Sequence, residues 1–177
     1  MHGLAAAYFN AGRKDEALKL QEELRPILRK VYGPKHLNTL SAMNNLATFY
    51  SAVGRKDEAL KLREEVLELS LRNDPNSTAT ADAYAEIGFS LDAMGRGDEA
   101  IKAWQEAVRI APARTSNTHY WLGKALTDRQ RYAEALPILR ATLKFYPEGP
   151  RHLETEERTA VAVAKALQTP SPSKSKQ

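Results

Sequence analysis

The sequence predicts an all-α protein built as a solenoid of antiparallel helix pairs, and three observations carry that expectation. The nine residues Gly12 to Leu20, GRKDEALKL, return unchanged at Gly54 to Leu62, 42 positions later. Degenerate copies begin at Gly95 (GRGDEAIKA) and Gln130 (QRYAEALPI), 41 and 35 residues further on. Ahead of each copy, apolar residues recur at i, i+3, i+4 and i+7, the stripe of an amphipathic helix. Periods of this size mark stacked helical hairpins, in which each unit buries its apolar face only against its neighbours.

Each hairpin is read from its turn residue, Gly12, Gly54, Gly95 or Gln130. Eight positions earlier stands Leu4, Leu46, Ile87 or Leu122, followed by a small residue, Ala5, Ala47, Gly88 or Gly123. Tyr8, Tyr50, Leu91 and Leu126, with Met1, Met43, Tyr84 and His119, complete the stripe of the first helix of each pair, helix A. The small residue lets a partner helix approach, since bulk there would push the two axes apart. Met1 falls inside the first helix A with no capping residue before it, which leaves room for the chain to be the tail of something longer.

Past the turn, Ala17, Ala59, Ala100 and Ala135, each followed by Leu or Ile, mark helix B. Asp15, Asp57 and Asp98, with the glutamates after them, place negative charge in its first turn, where the dipole and free amides favour it. The three glycines suit a left-handed cap ending helix A. Pro137 lies within about a turn of its helix start, where a missing amide costs little.

The first two B helices run on past the usual stop. In the first, Leu24, Ile27, Leu28 and Val31 continue at helical spacing until Tyr32, Gly33 and Pro34, and eight extra residues add about 12 Å of helix. Pro26 lies inside it and is expected to kink it. The second extension, Glu64 to Arg72, ends at Asn73, Asp74 and Pro75, a turn signal. After a break at Gly149 and Pro150, Ala160, Val161, Val163, Ala164 and Leu167 share one face, while Glu154, Glu157, Arg158 and Lys165 line the other. That pattern fits a helix shielding the last apolar face of an array. The expected organisation is four hairpins at about 1–36, 37–76, 77–114 and 115–147, a capping helix at 150–168 and a disordered tail at 169–177. Ser171, Ser173 and Ser175 in that tail read as part of a solubilising end.

Composition bounds the function. With 42% apolar and 27% charged residues the chain is of globular type, and its apolar runs fall far short of the ~20 residues of a bilayer span. No cysteine is present, which excludes thiolate catalysis, thiolate metal sites and disulfides. The segment MHGLAAAYFN lacks a basic leader, so no export signal is read and the cytoplasm is the default location. The formal charge of +4 is partly carried by Lys174 and Lys176, and nucleic acid is not demanded.

These hairpins resemble the tetratricopeptide repeat, a helix-turn-helix of about thirty-four residues. The third unit matches most closely, with Gly88, Ala100, Trp104, Ala107 and Pro112; the fourth matches through Leu122, Gly123, Tyr132, Ala135 and Pro147. In the first two, Gln21 and Arg63 stand where an aromatic is usual, and the longer period with YGPKHLNTLSAMNNLATFY at Tyr32 to Tyr50 is similar to the repeats of kinesin light chains. The resemblance, which covers residues 1 to 147, implies a right-handed superhelical stack whose A helices line a concave groove.

On that placement the groove residues are Phe9 and Asn10; Asn44, Thr48 and Ser51; Asp82, Glu86, Phe89 and Asp92; and Asn117, Tyr120, Lys124 and Asp128, with Asn45 and Trp121 at the rim. Amide side chains such as Asn44 can hold an extended main chain, while Phe89, Tyr120 and Trp121 supply pockets. Chaperone-binding members of the family grip a C-terminal carboxylate with basic residues where this chain has Asp82 and Glu86, whose charge would repel it. A neutral or basic peptide is the expected ligand. RNA is disfavoured by the same acids and the uneven period.

The four histidines, His2, His36, His119 and His152, lack metal-ligand spacing, and His119 reads as a packed stripe residue. No nucleophile elbow or phosphate loop is present. The expectation is a protein-interaction scaffold without catalysis, cofactor or metal, binding no nucleic acid and no membrane. The alternative is a regulatory or self-associating segment of a larger protein, joined through its N-terminal helix to an upstream domain or a second copy.

Overall fold

The computed structural model describes residues 2–112 and 116–145. Among the described residues it is all-helical, with α1 (His2–Asn10), α2 (Lys14–Tyr32), α3 (Leu37–Ala52), α4 (Lys56–Leu71), α5 (Thr78–Ala93), α6 (Gly97–Ile110), α7 (Ser116–Asp128) and α8 (Tyr132–Phe145). The chain divides into two compact units, Met1–Ala111 and Pro112–Gln177. In the first, successive helices from α1 to α6 pack on one another; in the second, α7 packs on α8. The architecture is an α-solenoid of antiparallel pairs. The expected capping helix at 150–168, Pro147 and the tail at 169–177 lie outside the described residues.

All four hairpin turns are built alike. Gly12, Gly54 and Gly95 have φ of 79°, 86° and 77°, and Gln130 takes the same left-handed conformation at 59°. The next residue's amide closes the cap: Arg13 donates to the Tyr8 carbonyl (2.9 Å), Arg55 to Tyr50 (2.8 Å), Arg96 to Leu91 (2.8 Å) and Arg131 to Leu126 (2.9 Å). Such six-to-one bonds satisfy carbonyls that would otherwise end helix A unpaired. The same arginine then clasps the glutamate three residues on, giving Arg13–Glu16, Arg55–Glu58, Arg96–Glu99 and Arg131–Glu134. Hydrogen bonding from the guanidinium holds each of these four carboxyls below the usual carboxylate range.

The core of the first unit is a continuous seam. Leu18 of α2, Leu40, Met43, Leu46 and Ala47 of α3, Ala59, Leu62 and Val66 of α4, and Ala83 of α5 form one cluster. Fully burying a side chain such as Leu46 stabilises by about 1.5–3 kcal/mol. The small residue of helix A does what its position predicts. A methyl group added at Gly88 would stand 2.8 Å from Trp104 Cε2 and closer still to two other indole atoms, so only glycine admits the fully buried ring. In the second unit Gly123 faces Leu139 in the same way.

Two expectations about the core are corrected. Leu4 lies on the stripe yet is 50% exposed, because α1 packs mainly on α2, with Phe9 reaching α3, whereas α3, which carries Leu46, packs between α2 and α4. Ile27 and Val31, read as the apolar continuation of α2, are also exposed; only Leu24 of that extension is buried. The helix itself does continue unbroken through Pro26 to Tyr32.

Candidate functional site

The candidate groove residues of the first unit lie on α1, α3 and α5. Phe9 is half-buried and meets Phe49 of α3 edge to face, with centroids 4.8 Å apart, so an aromatic pair bridges the first two A helices. Asn10 and Asn45 are exposed. Asn44 is half-buried, and its Oδ1 is shut off from water without a hydrogen-bond partner. Its carbonyl accepts from Thr48 Oγ1 at 3.1 Å. Phe89 is half-buried with its ring edge to face against Trp104 at 5.4 Å, so it serves the core as well as the surface.

The residue that organises this face is Arg63 of α4, noted in the sequence only as a departure from an aromatic position. It stands where the third hairpin has Trp104, and like the indole it is buried, its side chain 8% exposed. Unlike the indole it must be satisfied by polar partners. Its guanidinium donates to Ser90 Oγ, to the Glu86 carbonyl (3.0 Å) and to Thr48 Oγ1 (3.3 Å), and it pairs with the Glu86 carboxylate at 2.8 Å. One side chain therefore reaches α3 and α5 together. Burial lowers the basicity of Arg63, opposed by the Glu86 charge. A polar residue at a core position was the signal in the sequence; Thr48 was named for its helix phase, and Ser90 gave no signal of its own.

This arrangement corrects the reading of Glu86. As a free acid it would repel a ligand carboxylate; as the partner of Arg63 its charge is largely answered from beneath. Asp82 and Asp92 are exposed on α5 and carry the acidity of this face.

The second unit offers a separate surface on α7. Asn117 is exposed, Tyr120 half-buried and Trp121 37% exposed, with the two rings edge to face at 5.3 Å. Lys124 pairs with Asp128 at 2.9 Å, which offsets the cation expected there. His119 is buried at 3% exposure, as a stripe residue should be. Among the described residues no group of three acids, histidines or cysteines is placed to hold a metal ion, and no helix is long and apolar enough to cross a membrane.

Comparison with known proteins agrees with the repeat fold. A tetratricopeptide-repeat profile matches residues 1–72 and 44–113, and a second profile of that description matches residues 117–141. No curated protein matches the sequence. Among solved structures, a Podosopora anserina protein described as a kinesin light chain with nearly identical TPR-like repeats is 22% identical, with a TM-score of 0.74 over 94% of this chain and 86% of that one. The MamA protein is 18% identical, with a TM-score of 0.63 over 91% and 84%. BtubC (BKLC) from P. vanneervenii is 22% identical, with a TM-score of 0.63 over 98% of this chain and 66% of that one. At such identities the likeness is one of fold.

Proposed function

Because the chain belongs to the tetratricopeptide-repeat family, we propose that it is a non-catalytic scaffold that holds a segment of another protein against its A-helix face. The observation that carries this reading is Asn44. A buried amide oxygen with no donor costs about 1–3 kcal/mol, and turning this half-buried amide outward to accept a main-chain N–H of a bound extended segment would remove that cost. The exposed Asn45 amide and the half-buried Phe9 of α1 and Phe89 of α5 would add polar and apolar contacts. Asn10 continues the face on α1. Asn117, Tyr120, Trp121 and Lys124 offer a second contact surface on α7.

The ligand class follows from the charges. With Glu86 already paired to Arg63, selectivity for a basic segment rests on the exposed Asp92, so the ligand is neutral or modestly basic. No cofactor is required, and neither nucleic acid nor a membrane is a partner.

Peptide display against the whole chain tests this. Neutral or basic extended peptides should be recovered, and Asn44→Ala should weaken their binding about tenfold, equivalent to about 1.4 kcal/mol, without lowering the melting temperature. Equal binding by the variant, or recovery of acidic peptides alone, would sink the proposal.

A further inference from the structure

A cleft of about 220 Å³ opens on the first unit, lined by Arg25 of α2, Tyr50 of α3 and Glu58, Lys61, Leu62 and Glu65 of α4. Apart from Tyr50 these residues stand on B helices, so the cleft is not part of the A-helix groove. Leu62, 5% exposed, supplies its apolar base, and Tyr50 contributes the one aromatic ring of the lining. Two sets of ion pairs border it. Arg25 (2.6 Å) and Arg29 (3.2 Å) hold Glu65, while Arg55 pairs with Glu22 (3.5 Å) and with Glu58, and the Tyr50 hydroxyl donates to Glu22 (2.9 Å).

The repeat alone does not make this cleft. One hairpin on, the counterparts of Arg25 and Tyr50 are Leu67 and Leu91, 42 and 41 positions later. Leu67 packs against the core cluster and Leu91 is 6% exposed, so aliphatic side chains stand where the cleft has a guanidinium and a phenol. Nor do its charges cancel. The carboxylates of Glu22, Glu58 and Glu65 are each answered by an arginine. Lys61 is exposed and, among the described residues, makes no ion pair, and Arg25 keeps N–H groups that Glu65 does not use.

We propose that this cleft receives a glutamate side chain of a partner protein docking on the B helices, its carboxylate held by Lys61 and Arg25 and its stem laid on Leu62 and Tyr50. An unpaired ammonium and spare guanidinium donors above an apolar base suit a carboxylate on a short aliphatic stem. Size points to a side chain rather than a free ligand. The cleft has room for about seven waters at ~30 Å³ each, below the ~300–1,000 Å³ of sites that enclose a whole small molecule. The A-helix groove is expected to take a neutral or basic segment, so the two sites select opposite charges and the two proposals fail independently.

The test titrates the whole chain with acetyl-Ala-Ala-Glu-Ala-Ala-amide and follows backbone amide shifts by NMR. Saturable shifts should centre on residues 58–65 with a Kd of about 1–10 mM, the strength that one exposed charge pair and one covered stem allow. The peptide with Gln in place of Glu should bind at least about fivefold more weakly, and Lys61→Gln, a change to an exposed side chain, should weaken the Glu peptide by as much. Lys102→Gln, the counterpart one hairpin on, should leave the affinity unchanged. Absence of saturable shifts would overturn the proposal, as would shifts confined to α1, α3 and α5 or equal binding of the two peptides. So would a Lys61→Gln chain that binds like the parent, or a Lys102→Gln chain that loses as much. Tighter binding of free butyrate than of the Glu peptide would overturn it too, by making the cleft a site for a small acid.

Discussion

Gly88→Ala separates close packing from helix propensity, because the two oppose each other at this site. Gly88 lies in the middle of α5, where alanine should gain about 0.8–1.0 kcal/mol in propensity over glycine. The new methyl group, however, would stand 2.8 Å from Trp104 Cε2 and nearer to Nε1 and Cδ1. Ordinary carbon contacts begin near about 3.5 Å, so the indole must move by the better part of an ångström. It has no room, since Trp104 is 0% exposed and its Nε1 donates to the Ala85 carbonyl at 3.3 Å. Overpacking of this kind costs about 1–3 kcal/mol, and weakening the indole hydrogen bond adds up to about 1 kcal/mol. The net expectation is a loss of up to about 3 kcal/mol, read as a lowered urea midpoint by helical circular dichroism.

A second background makes the prediction specific. In Trp104→Leu the obstructing ring is gone, so Gly88→Ala should become neutral or stabilising by up to about 1 kcal/mol. The sign reversal, a coupling of about 1–4 kcal/mol in a double-mutant cycle, is the signature. If Gly88→Ala stabilises the parent chain, or costs the same in both backgrounds, the account of α5–α6 packing is wrong.

Two further outcomes follow from the corrected core and from the buried charge. Leu46→Ala should cost about 2–5 kcal/mol, while Leu4→Ala, at the equivalent position but half exposed, should stay within about 0.5 kcal/mol; equal losses would mean that Leu4 is covered. Glu86→Gln should destabilise by about 1–2 kcal/mol because it strips a buried guanidinium of its counter-ion, whereas Arg63→Met, which removes the charge and keeps the volume, should cost less than about 1 kcal/mol. The reverse order in urea midpoints would show that Arg63 is not a buried charge held by Glu86.

Much of the fold was legible because its determinants are local. The glycine caps, the acids opening each B helix and the 3.6-residue apolar period each act within one or two turns of helix; the three glycine turns show the expected left-handed cap, and Gln130 adopts it as well. What the period could not convey was which stripe residues have a neighbour to pack on. Leu4 and Leu46 satisfy the same pattern, yet one is exposed and the other buried. The candidate site was less legible. Asn44, Thr48, Glu86 and Phe89 were selected by helix phase, but the contact that unites α3 and α5 comes from Arg63, fifteen residues from Thr48 and 27 from Ser90 in the chain. Phase on one helix carries no information about a side chain arriving from the next.

By itself the sequence determined the helical hairpins, their turns and their order, because backbone capping and amphipathic spacing are written in residues close together along the chain. Tertiary structure alone decided the pairing of Glu86 with Arg63, the stranded amide oxygen of Asn44 and the exposure of Leu4. Burial and charge compensation depend on what lies across a helix interface, and that is set by packing between hairpins rather than within one.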